Sequence, residues 1–183
     1  MQPPMPKHTP ERKSSSTGGA SLWPRLAPHF PADGRPRTLL VADVAAIAPA
    51  LAQAVHEVGG LMVLDCIASG AMWVDMTAIG VDVLVSAPQK GWSGSPCCAM
   101  VMLSARAREA IEQTQSSSFS CDLKKWMQIA EGYEKGQHAY HTTMPTDGLT
   151  NTRNVMRETL DYGLDKLRAE QQALAMVAAA QQF

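Results

Sequence analysis

From about residue 38 onward, short apolar runs alternate with stretches whose apolar positions recur at helical spacing. Over residues 47–58, Leu51, Ala54, Val55 and Val58 fall on one helical face, Pro49 falls in the first turn and Gly59-Gly60 closes the end, so this segment predicts a helix. Residues 61–65, 81–86 and 98–103 are short β-rich runs bounded by Gly, Pro and Ser, and each reads as a buried strand. Ser104 is placed to cap a helix over 105–114, a further helix is expected over 123–133, and the chain from Leu149 is helical with an interruption at Gly163, leading away from the sheet. Strands joined by helical crossovers predict an α/β fold with a mainly parallel sheet flanked by helices. No internal repeat is visible.

The first 37 residues break this pattern. They hold eight of the twelve prolines, the run Ser14-Ser15-Ser16 and a basic excess, with no period that would place an apolar face. The expected organisation is therefore a disordered or unrelated segment over 1–37, an α/β domain over 38–163, and a helical segment over 164–183.

Composition narrows the functional classes. With 45% hydrophobic residues, 18% charged residues and a formal net charge of -1, the chain reads as a soluble globular protein, and nucleic acid is not an expected partner. No apolar run approaches the roughly 18–20 residues a bilayer crossing needs, and residues 1–13 lack the apolar core of a secretory signal, so the expectation is a cytoplasmic protein with no membrane partner. The four cysteines, Cys66, Cys97, Cys98 and Cys121, form no Cys-x-x-Cys pair. Adjacent Cys97 and Cys98 do not easily chelate one tetrahedral zinc, so no metal is expected and buried free thiols in a reducing compartment are the simplest reading.

In open α/β sheets, ligands bind beyond the carboxyl ends of the strands. Asp65 and Ser86 close two of the predicted strands there, and Gln89-Lys90 follows in a turn fixed by Pro88. An acid, an amide and an amine converging at one edge is the set that pyridoxal 5'-phosphate requires. The amine anchors the cofactor and then shuttles a proton, while the carboxylate keeps the ring nitrogen protonated in a partly buried site. An arginine in place of Lys90 would do neither, because its guanidinium stays protonated near neutrality. Taken alone, a loop lysine is usually solvated and a strand-end aspartate is often a turn residue. Trp73 and Trp92 are read as core aromatics rather than cofactor-stacking groups.

The run Leu64-Asp65-Cys66-Ile67-Ala68-Ser69-Gly70, followed by Ser86-Ala87-Pro88-Gln89-Lys90-Gly91-Trp92-Ser93 and later by Tyr140-His141-Thr142-Thr143-Met144-Pro145, resembles the class V, fold-type I aminotransferases of the alanine/serine–glyoxylate group. The resemblance spans about residues 50–163 and covers the second half of that family's large domain. It implies that Lys90 forms the imine with pyridoxal phosphate, that Asp65 pairs with the pyridinium nitrogen, that Ile67 packs on the ring face and that Gln89 touches the phosphate. It also implies a homodimer with shared sites, in which Tyr140 and Thr143 donate to the phosphate bound in the partner subunit. The reaction implied is transamination of a small amino acid, alanine or serine, with glyoxylate or pyruvate as acceptor.

Departures from the family pattern accompany the matches. The glycine-rich phosphate loop and the ring-stacking aromatic belong to a region not visible in this chain, and Ser15-Ser16-Thr17-Gly18 lies too far ahead of Asp65 to replace them. The chain stops at Phe183, ahead of most of the small domain that carries the family's carboxylate-binding arginine, and Arg153 and Arg157 read as solvated helix charges. These departures suggest a truncated aminotransferase, and a non-catalytic fragment is one alternative reading. A cysteine desulfurase-like lyase on the same fold is the alternative enzyme, disfavoured by Gln89 where such lyases carry histidine and by the lack of a matching catalytic cysteine. A dinucleotide site ranks last, because no Gly-x-Gly-x-x-Gly follows a strand.

Overall fold

The computed structural model describes residues 41–180; the expectations for residues 1–37, including the Ser15–Gly18 string, lie outside them. The chain order is α1 (Val41–Glu57), β1 (Val63–Asp65), α2 (Met76–Ile79), β2 (Val83–Ser86), β3 (Met100–Leu103), α3 (Ala105–Glu112), α4 (Leu123–Glu134), α5 (Thr146–Tyr162) and α6 (Leu164–Ala180). The expected α/β class holds. Among the described residues no helix is long and apolar enough to cross a membrane.

One sheet of order β1-β2-β3 organises the fold. β1 and β2 run parallel, with Val63 opposite Val83 and Asp65 opposite Val85. β3 departs from the expected parallel arrangement and pairs antiparallel to β2, with Val83 opposite Leu103 and Ser86 opposite Met100. The connections account for this difference. The β1–β2 link carries α2 as a helical crossover, whereas residues 87–99 contain no helix and return the chain beside the strand it has just left.

Side chains placed at the element ends fix the boundaries. Asp75 caps α2 by accepting from the N–H groups of Thr77 and Ala78, both at 3.0 Å, and Gly80 closes it in the left-handed region at φ 74°. Ser104 caps α3 as expected, its hydroxyl accepting from Ala107 N at 3.1 Å. Asp122 does the same for α4 through Lys125 N. α1 begins earlier than periodicity suggested, so Pro49 lies in the helix interior rather than in its first turn. The missing Pro49 N–H costs one intrahelical bond, and the surrounding alanines, the strongest helix formers, keep the helix continuous.

The core is thin. Among the described residues, six of the eleven buried hydrophobic side chains are alanines, and the strands themselves are only partly covered: Leu84 is 5% exposed but Val63 is 58% exposed. Strands expected to be buried are thus partly open to solvent, β1 most of all. Leu84, Val81 and Cys66 form the centre of the cluster, with Leu64, Val74 and Ile79 packed around it.

A polar hub supports the start of the sheet. Asp82, 3% exposed, accepts from the Met62 N–H at 2.8 Å and from the Ser104 hydroxyl at 3.1 Å, and lies 2.7 Å from His56 Nε2. This one carboxylate ties α1, the approach to β1, the entry to β2 and the cap of α3. The same bonds shorten β1 relative to the predicted 61–65, because Met62 gives its N–H to a side chain instead of to a neighbouring strand.

Candidate active site

Asp65 is the last residue of β1, and its Oδ1 accepts the Ile67 N–H at 2.8 Å, which shapes the turn that follows. Its second carboxylate oxygen makes no hydrogen bond among the described residues. Burial pushes the thiol of neighbouring Cys66 up; the Ser69 side chain offsets part of that rise and the negative charge of Asp65 adds to it. Asp65 and Ile67 border a groove of about 490 Å³ that also includes Leu64, Ser69 and Trp73.

Lys90 follows the neighbouring strand. Pro88 is fully buried and its carbonyl accepts from Gly94 N at 2.9 Å, while the Lys90 carbonyl accepts from Ser93 N at 2.9 Å. The turn is therefore pinned from below with Gln89 and Lys90 exposed. Ser93 holds φ at 56°, a left-handed conformation uncommon for a residue with a side chain and characteristic of functional turns. Ser86 takes no part beside Asp65: pairing places Asp65 opposite Val85, and strand alternation turns Ser86 to the other face, beside Trp92 and Met100.

The two strand-end loops meet. A Cβ added at Gly91 would lie 2.3–2.4 Å from backbone atoms of Gly70, so only glycine lets the Lys90 turn approach the loop that follows Asp65. Gly91→Ala should therefore cost about 1–3 kcal/mol by overpacking two backbones. An unchanged midpoint in chemical denaturation would show that the loops do not touch.

Tyr140 and Thr143 come together, with the Tyr140 hydroxyl 3.0 Å from Thr143 Oγ1, and Tyr140 remains 64% exposed. His141 between them is the positioning residue that sequence reasoning missed. Its ring stacks on Phe119 at 4.2 Å and meets Trp126 edge-on at 5.0 Å, and its Nε2 is 2.9 Å from the Phe119 carbonyl oxygen. The aromatic clamp fixes the Tyr140–Thr143 segment ahead of α5. Trp73 and Trp92, expected in the core, pack on each other at 4.8 Å but are only half-buried, and Trp73 borders the Asp65 groove.

α6 was expected to lead away from the sheet. Instead Gly163, at φ 104°, turns it back onto the loop after β1. The Trp73 indole donates to the Leu164 carbonyl at 3.0 Å; Gln171 donates to the Ser69 carbonyl at 3.2 Å and accepts from the Ala71 N–H. This return brings Arg168 to the Asp65 groove, a position that Arg153 and Arg157 do not share. No local pattern singles out Arg168, because its placement depends on how α6 docks.

Comparison with known proteins places this arrangement. No family model matches the chain. It is 33% identical over 135 residues to L-aspartate–glyoxylate aminotransferase of Paracoccus denitrificans, covering 73% of this chain and 32% of that protein. It is 27% identical over 134 residues to alanine–glyoxylate aminotransferase 1 of Saccharomyces cerevisiae, covering 70% and 34% respectively. The fold superposes on the crystal structure of alanine–glyoxylate aminotransferase from a Nostoc species with a TM-score of 0.61 and 25% identity, covering 69% of this chain and 33% of that one. The chain is similar to class V aminotransferases over about 70% of its own length. It spans about a third of the length of the relatives it matches, and its α/β unit is part of the fold-type I large domain. In this chain the groove-lining acid and the lysine turn follow two neighbouring parallel strands.

Proposed function

We propose that this chain supplies the lysine and ring-pairing acid of a pyridoxal 5'-phosphate-dependent transaminase site that acts on a small amino acid, alanine or serine, with glyoxylate or pyruvate as acceptor. The observation that carries the reading is the meeting of two loops at Gly70 and Gly91, which brings the strand ends bearing Asp65 and Lys90 together. The donor set fits the cofactor: an exposed primary amine, a carboxylate with one oxygen uncommitted, and a hydroxyl pair on a braced segment. When bound, pyridoxal phosphate supplies an electron sink for the substrate α-carbon.

Lys90 Nζ would hold the cofactor by its aldehyde and, as a free amine, would move the proton at the substrate α-carbon. Asp65 would hold a proton on the ring nitrogen through its charge, and Ile67 would offer aliphatic surface to the ring. Gln89 donates to the phosphate. Tyr140 and Thr143 donate to the phosphate of a second subunit in a homodimer, a role that the exposure of Tyr140 supports.

Incubation with pyridoxal phosphate followed by borohydride should fix one cofactor on the peptide that contains Lys90. Label on Lys124, Lys125, Lys135 or Lys166 would overturn the assignment.

A further inference from the structure

Between the Lys90 turn and β3 lie two adjacent cysteines with no part in the reaction above. Cys97 and Cys98 are both half-buried, their sulfurs are 3.7 Å apart, and Cys97 Sγ is 3.3 Å from Thr152 Oγ1 on α5. The pair is held in place. A Cβ at Gly148 would lie 2.5 Å from Cys97 Cβ, so α5 presses directly on Cys97, and Asn151 Oδ1 accepts from Ser95 N at 3.1 Å just upstream.

The spacing selects a ligand class. A disulfide usually joins Cα atoms about 4.4–6.8 Å apart, wider than the roughly 3.8 Å between neighbouring residues across the trans peptide found here. A single atom bonded to both sulfurs at about 2.3 Å, the length of a zinc–thiolate bond, would subtend roughly 107° across the separation of the two sulfurs. A linear two-coordinate ion with such bonds would need sulfurs roughly 4.6 Å apart. Zinc would need further ligands, and among the described residues no group of three or more His, Cys, Asp or Glu is placed to hold a metal ion. A bent, three-coordinate centre is what remains.

We propose that Cys97 and Cys98 form a vicinal dithiol site for trivalent organoarsenicals of the type R–As=O. Two S–As bonds form as the As=O bond breaks, and the two thiol protons leave with the oxygen as water; arsenic stays trivalent and nothing is oxidised. Burial, together with Cys97, pushes the Cys98 thiol up to about 11, so near neutrality this sulfur carries the proton that the condensation releases. The site needs no pyridoxal phosphate and stands or falls apart from the transaminase reading.

The reduced full chain is titrated with phenylarsine oxide and followed by intact mass and peptide mapping. One phenylarsenic per chain should add with loss of one water, on the peptide holding both cysteines. The adduct should resist excess mercaptoethanol, yield to dithiothreitol, and protect Cys97 and Cys98 from iodoacetamide while Cys121 is still alkylated. Cys97→Ser and Cys98→Ser should each weaken binding about 10²-fold or more, since a tethered second ligand raises affinity by that order; Cys66→Ser and Cys121→Ser should leave it unchanged. Stripping of the wild-type adduct by the monothiol, or full retention in either single variant, would overturn the proposal. The mapping on the wild-type chain decides the matter even where a variant fails to fold.

Discussion

Lys90→Arg is expected to reduce covalent retention of pyridoxal phosphate from one per chain to background, with stability changed by no more than about 0.5 kcal/mol. The substitution keeps a positive charge in an exposed turn, so electrostatic attraction for the phosphate survives. What disappears is a primary amine that can lose its proton and attack an aldehyde, since a guanidinium stays protonated across the accessible pH range. The turn itself depends on the buried ring of Pro88 and on backbone bonds from Ser93 and Gly94, none of which involves the lysine side chain. Loss of binding without loss of stability is therefore the signature of a functional rather than a structural lysine. The measurement is cofactor absorbance remaining after borohydride reduction and desalting, beside a urea titration. A Lys90→Arg chain that retained the cofactor as the wild type does would remove Lys90 from the site.

The largest loss of stability is expected from Asp82→Ala, at about 2–4 kcal/mol, because it leaves half-buried donors from His56, Met62 and Ser104 without their acceptor. Burial alone would raise the pKa of Asp82; the Met62 N–H, His56 and the Ser104 hydroxyl outweigh that and hold it below the ordinary carboxylate value. A carboxyl that is more acidic folded than unfolded contributes its full stability above its unfolded pKa of about 3.9 and loses it as pH falls through the lower folded value. The wild type should thus weaken progressively in acid below about pH 4, and the gap between it and Asp82→Ala should narrow there. Urea midpoints for both chains near neutrality and near pH 3 test this. Equal midpoints near neutrality would show that Asp82 is not the hub of the sheet.

Much of the fold was legible along the chain because it depends on neighbours in sequence. Apolar periods located three strands and most helices, Ser104 announced the cap of α3, and the polar residues ending β1 and following β2 marked Asp65 and Lys90 as candidates before any contact was known. What only the tertiary structure decided involves partners distant in sequence. Asp82 reads as one acid in an apolar run, yet it bonds His56 across 26 residues. Gln171 holds the loop after β1 from 100 residues away, and that contact brings Arg168 to the groove. The antiparallel return of β3, the His141 clamp beneath Tyr140 and Thr143, and the 3.7 Å spacing of Cys97 and Cys98 were likewise invisible. Periodicity records which face a residue presents, whereas these features depend on which face of another element it meets, and a one-dimensional pattern carries no term for that encounter.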